Sequence, residues 1–223
     1  MAEGVASGVS RIVLFDFDGV LVRGDAFGLL MRDRYARGWW RKGLVLLAAP
    51  WLLAVLPFSR RRALRTLVHI GLMGVREKRY RTLAEEFAGV LVHRPRQFHR
   101  EGLNALRRHQ AAGDRVVAVT GCEDTLVRAV LAGLGLSGVE VVGSRLCSKR
   151  LGMRTEWHNV GRRKVEMLAR YGIDAWQAAY GDSHQDLPML APAAEIVLVN
   201  ATPKLCKKME KALGRSVTRV EWR

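Results

Sequence analysis

A chain of 223 residues has room for one full hydrophobic core and one sizeable insert. Its apolar share of 49% excludes wholesale disorder. Three widely spaced cysteines, Cys122, Cys147 and Cys206, exclude a disulfide framework and a metal finger, and read as reduced thiols in a cytosolic setting. Residues 1–10 lack the basic and apolar regions of a secretory leader. The formal charge of +16 is unevenly spread: of 37 basic and 21 acidic residues, 20 and 7 fall between Arg23 and Arg115. Such a field favours an anionic partner: a phosphorylated substrate, an acidic membrane surface or nucleic acid. Nucleic acid is the weakest of the three, because no binding motif is visible and aromatic residues are not interleaved with the charge.

Residues 11–17, RIVLFDF, form a short apolar, β-branched run that predicts a buried strand ending in a loop. From 22 to 112 strand patterning stops. The segment reads as helical throughout and is too long for a loop inside a compact domain. It is expected to be a helical cap, with the core formed by 1–21 and 113–223. Within the cap, residues 43–58 read GLVLLAAPWLLAVLPF, without a charge, between Arg41-Lys42 and Arg60-Arg61-Arg62. This stretch is short of the roughly 20 residues of a crossing helix, and Pro50 and Pro57 are expected to interrupt it. The apolar run with its basic flanks predicts an interfacial or re-entrant contact with an anionic membrane surface; a buried cap helix is the alternative. Beyond the cap, strands are predicted at 115–121, 138–143, 176–181 and 195–200. Helices are predicted at 124–134, 161–171 and 184–190, then a basic surface helix over 204–211 and a short tail. Strands alternating with helices indicate an α/β fold, a Rossmann-like parallel sheet with helices on both faces. Chemistry in such sheets gathers at the carboxyl ends of the strands.

Four motifs fall at those ends. Asp16-Phe-Asp18-Gly places two carboxylates in one loop, able to share a hard cation such as Mg2+. One can attack phosphorus and the other can move protons. Thr120-Gly121 closes the second strand and offers a hydroxyl and backbone amides to phosphoryl oxygens, beside a helix beginning near Asp124. Lys164 supplies a fixed ammonium that can neutralise a phosphoryl group in transfer; Arg162 and Arg163 are each offset from it by about 100° per residue around the helix. Asp182 and Asp186, four residues apart at a loop-to-helix junction, can converge on one point, Asp182 at the metal and Asp186 orienting it or steadying Lys164.

This ordered set resembles the haloacid dehalogenase superfamily of phosphatases, with a helical cap as in its phosphoserine phosphatase-like branch. The resemblance implies a Mg2+-dependent phosphomonoesterase with Asp16 as nucleophile and Asp18 as general acid–base. Thr120 and Gly121 would hold the phosphate, and Lys164 would balance charge. Asp16, Asp18 and Asp182 would lie at the metal, with Asp186 in support. Gly24-Asp25-Ala-Phe-Gly28, the Trp-bearing basic run and the 43–58 stretch resemble the phosphatidylglycerophosphatase C family more narrowly. That resemblance implies a lipid phosphate substrate at the cytoplasmic face of a bacterial inner membrane, with Asp25 and cap arginines near the headgroup. The alternative is a soluble, cytoplasmic phosphatase of a small monoester such as phosphoserine.

Overall fold

In the computed structural model, which describes residues 10–222, β1 (Ile12–Phe15) is the centre of a seven-stranded sheet. The reading of residues 1–9 as lacking a leader lies outside the described residues. Toward one edge β1 is followed by β2 (Arg115–Glu123), β3 (Glu140–Lys149) and β4 (Gly152–Trp157). Toward the other edge come β5 (Ala178–Gly181), β6 (Glu195–Val199) and β7 (Thr218–Val220). Neighbouring strands are parallel except β3 and β4, which form an antiparallel hairpin. The chain builds from β1 outward in one direction and then restarts at β5 on the other side. The carboxyl ends of β1 and β5 therefore flank a switch point, where open α/β sheets leave a crevice.

The period-two geometry of the strands divides the core between two faces. Val13 and Phe15 of β1, with Val116 and Ala118 of β2, pack into one cluster; Leu14, Val117 and Val119 point into the other. The first cluster is covered by α4 (Glu77–Val92), α5 (Arg100–Ala111) and α6 (Asp124–Gly133). The second is covered by α7 (Arg162–Arg170), α8 (Leu187–Leu190) and α9 (Pro203–Leu213). Local chemistry marks the helix ends. Thr202 accepts a hydrogen bond from Leu205 N ahead of Pro203 in α9, and Gly214 closes that helix in the left-handed conformation.

Between β1 and β2 only helices occur. α1 (Ala26–Arg37) is capped by Asp25, which accepts from Gly28 N at 2.8 Å; α2 spans Trp39–Val55; α3 (Arg60–Gly71) is capped by Ser59. These three helices belong to the inserted helical cap. The β3–β4 hairpin props it up. Gly74 N donates to Leu151 O at 3.0 Å, and His69 lies 3.2 Å from Met153 O. Sequence reading expected a single short strand at 138–143 and a tail after 211; the hairpin and β7 were not anticipated.

The apolar stretch takes a form that corrects three expectations. α2 continues through Pro50 instead of breaking there. It is 17 residues long, about 26 Å at 1.5 Å per residue, and its first turn carries Arg41 and Lys42. No helix of the described residues is long and apolar enough to cross a membrane. The inner-membrane location and the anionic membrane surface were inferred from this stretch, and the finding overturns both. Leu46, Leu47, Leu53 and Phe58 stand exposed on the cap, and α2 buries only Arg41, whose guanidinium lies over the Trp40 ring.

Gly152 opens β4 with φ of 133°, and a Cβ there would meet Met73 Cα at 2.9 Å as well as the Leu72 carbonyl. Gly152→Ala should therefore lower stability by about 1–3 kcal/mol through strain and a displaced cap. A urea titration followed by tryptophan fluorescence checks this; an unchanged midpoint would show that the hairpin does not support the cap.

Candidate active site

Asp16 follows β1 directly, and its backbone N–H donates to Tyr180 O at 2.9 Å, so the sheet register fixes its position. Asp16 Oδ1 accepts from Phe17 N at 2.7 Å, and Oδ2 lies 2.9 Å from Lys164 Nζ. Lys164 is 2% exposed and projects from the first turn of α7. Of the two arginines beside it, Arg162 is exposed and Arg163 lies over the Trp157 ring at 5.0 Å. Helical rotation thus sends Lys164 alone into the cleft. The Lys164 ammonium also donates to Asp186 Oδ1 at 2.7 Å. Asp186 Oδ2 accepts from Ser183 N at 3.2 Å and from Ser183 Oγ at 2.9 Å, closing the short 3-10 turn His184–Asp186 that follows β5.

Asp182 enters from the end of β5. Carboxylate oxygens of Asp16, Asp182 and Asp186 all lie within 4.8 Å of one another. Gly19 lies against Asp182 with φ of 80°, and a Cβ on it would run into that carboxylate, so only glycine permits the approach. Asp18 turns the other way, accepting from Ala26 N, the first residue of α1, at 2.9 Å. The nucleophile loop and the cap are thereby joined. Asp16, Asp18, Gly121, Lys164, Asp182 and Asp186 line one cavity of about 460 Å³, with Ser183 and Gln185 at its side.

Thr120 is fully buried, and its Oγ accepts from Cys122 N at 2.9 Å. Pairing of β2 with β3 slips between Val119 and Glu123, which frees the Thr120-Gly121 backbone from the ladder; such irregularities often lie beside active sites. The α6 N-terminus, expected beside the phosphate, is capped by Glu123, which accepts from Leu126 N at 3.0 Å and from Tyr80 Oη at 2.7 Å. Glu123 and Ser183 were missed by sequence reasoning. An acid one residue before a helix, and the serine of Gly181-Asp-Ser, are common capping signals that carry no chemistry on their own.

Electrostatics explain the convergence. Burial pushes the Asp16 carboxyl well above the usual range, and the Asp186 charge adds to it against the pull of Lys164. Burial, then Asp186, raises Asp182 to about 6. Asp186 is held low: burial opposes its ionisation, but Lys164 and Ser183 overcome it. Lys164 is disfavoured by burial yet raised by Asp16 and Asp186. Three carboxylates against one ammonium leave two negative charges in excess. A divalent ion with a preference for oxygen ligands, such as Mg2+, matches that donor set.

Two outcomes follow. Mg2+ should raise the melting temperature of the chain by binding the folded state, with affinity weakening as pH falls through about 6, where Asp182 gains a proton. Asp182→Asn should abolish the stabilisation, as calorimetry with and without Mg2+ would show. In chelator, Lys164→Met should cost about 3–5 kcal/mol, since it strands two buried carboxylates. Without Lys164 to oppose burial, both carboxyls take a proton more readily folded than unfolded, so that variant should be more stable at pH 5 than at pH 8. Equal denaturation midpoints at the two pH values would contradict the charge argument.

Residues 13–191 match the protein-family model described as HAD, haloacid dehalogenase-like hydrolase. A comparison with curated proteins gave no match. Among solved structures, a protein of unknown function from Bordetella pertussis Tohama I superposes with a TM-score of 0.70 at 18% identity, covering 94% of this chain and 99% of that one. A phosphoserine phosphohydrolase-like protein from Francisella tularensis gives 0.60 at 13% identity over 94% of each chain. A substrate-bound phosphoserine phosphatase gives 0.58 at 18% identity, over 95% of this chain and 92% of that one. Nothing among these findings singles out phosphatidylglycerophosphatase C, and none of them supports the expected lipid phosphate partner. With the family model spanning the four motifs in order, the chain belongs to the haloacid dehalogenase-like hydrolases and is a phosphoric monoester hydrolase of that type, with an aspartate cluster that fits a divalent cation.

Proposed function

We propose that the chain removes phosphate from a small phosphate monoester, with phosphoserine as the reference compound, the core carrying the chemistry and the cap at 22–112 selecting the alcohol. The observation that carries this reading is the Asp16 carboxylate, buried at the end of β1 and 2.9 Å from Lys164 Nζ in an acidic cleft. Phosphoserine is favoured by the similar structures, one of them named as a phospho-aspartyl intermediate analogue of phosphoserine phosphatase.

In this reading Asp16 attacks phosphorus and becomes the aspartyl phosphate. Asp18, raised to about 7 chiefly by burial and against the pull of the Ala26 amide, holds a proton near neutrality. It donates that proton to the leaving alkoxide and takes one from the water that later hydrolyses the intermediate. Backbone at Gly121 lines the cavity, and the Thr120 hydroxyl, already accepting from Cys122 N, keeps its hydrogen to donate to a phosphoryl oxygen. Lys164 offsets charge on the phosphoryl group in transfer, while Asp186 and Ser183 hold the ammonium in place. Mg2+, held by Asp16 and Asp182 with Asp18 or Asp186 beside them, would offset the repulsion between the carboxylate and a phosphate dianion.

Asp16→Asn, isosteric but not nucleophilic, should lower turnover by about 10⁴-fold or more with the fold intact. Chelation of Mg2+ should stop the wild type. Phosphate release from phosphoserine, phosphatidylglycerophosphate and phosphatidate, compared side by side, tests the substrate class. Turnover of phosphoserine and not of the lipids is expected; turnover confined to a lipid phosphate would overturn the small-monoester reading.

A further inference from the structure

A second cavity, of about 390 Å³, opens beside the catalytic one between α1, α3 and the β3–β4 hairpin. The two share Asp25 and Gly121 in their walls. An alcohol leaving from a phosphate at Asp16 therefore has this space next to it. Phe27 and Met31 of α1, Leu64, Leu67 and Val68 of α3 and Leu146 of β3 supply its apolar wall.

Three polar groups in that wall are already engaged, and its other charged groups, Asp25, Arg32, Arg61 and Arg65, are exposed. Glu123 accepts from Tyr80 Oη and Leu126 N. Ser144 Oγ donates to Gly121 O at 2.6 Å and accepts from Asn159 N at 2.9 Å. Tyr35 Oη donates to Leu67 O at 2.6 Å. His158 is kept from charging by burial first and then by Arg61, Arg65 and Arg163. Arg61 and Arg65 are exposed, so their stems can cover apolar surface while their charges stay in water. A zwitterionic amino-acid group would find charged partners only among those exposed side chains, where pairing gains little, and deeper in the cavity it would lose water at a cost. An apolar group would cover surface that the protein leaves open.

We infer that this cavity receives the alcohol portion of the substrate and that this portion is apolar, an alkyl or aryl alcohol of moderate size. The inference rests on the phosphomonoesterase reading above and narrows it from small monoesters in general to those of apolar alcohols.

The test is a series of ethyl, butyl and hexyl phosphate with phenyl phosphate and phosphoserine, assayed in Mg2+ by phosphate release. The value of kcat/KM should rise about two- to fourfold per methylene, and hexyl and phenyl phosphate should exceed phosphoserine. Leu64→Asp, at a position 60% exposed in the cavity wall, should flatten the dependence on chain length. Phe27→Ala should weaken the dependence as well, giving a second variant should the first misfold. A flat series, or phosphoserine preferred over hexyl phosphate, would overturn the inference. If no monoester is turned over, the reaction reading fails instead, and calorimetry of hexylphosphonate against ethylphosphonate decides the cavity. Tighter binding of the longer compound upholds an apolar site, and equal binding removes it.

Discussion

Five carboxylates, those of Asp16, Asp18, Asp25, Asp182 and Asp186, share a cleft with the single ammonium of Lys164. Buried charges of one sign cannot sit so close without a counter-charge, and protonation or a bound cation must supply what Lys164 does not. The rest of the molecule serves this imbalance. β1 and β5 bring Asp16 and Asp182 side by side through their parallel register, with Phe15 opposite Tyr180. α7 contributes one buried lysine while turning its arginines outward. Ser183 ties Asp186 down, so that Lys164 has a fixed partner and Asp16 remains the more basic of its two carboxylates. A site held in this condition favours an incoming Mg2+ and, with it, a phosphate.

Most of the core was legible because the catalytic groups sit where period-two apolar runs end. Asp16, Thr120 and Asp182 were located that way, and Lys164 followed from its place on a helix that could reach them. The β3–β4 hairpin was not legible. After Ser144 the sequence reads RLCSK, since this part of β3 leaves the buried sheet and pairs with β4 alone, so no apolar alternation marks it. β7 is three residues long and partly exposed, too brief to carry a pattern. The stretch at 43–58 misled for a different reason. Its composition is that of a lipid-facing segment, but composition does not report where a helix starts, and α2 begins at Trp39 with Arg41 buried among its neighbours.

The hairpin also decides what the cap can do. α3 ends against the turn between β3 and β4, with Gly152 packed on Leu72 and Met73. The cap is therefore anchored on the sheet edge at one end and on the nucleophile loop at the other. The apolar cavity lies between these two anchors, bounded by cap helices on one side and core strands on the other. Specificity and chemistry are thus built from separate elements that meet at Gly121 and Asp25.

The hydrogen bond from Ala26 N to Asp18 has a consequence for how the two anchors communicate. The amide favours the ionised carboxylate, so its loss would raise the proton affinity of Asp18. Proton binding and the docking of α1 are therefore reciprocal. Burial is the larger cause and acts the other way, so a cap that tilts away and admits water lowers the proton affinity even as the amide is lost. The position of one helix and the charge on one oxygen behave as a single variable.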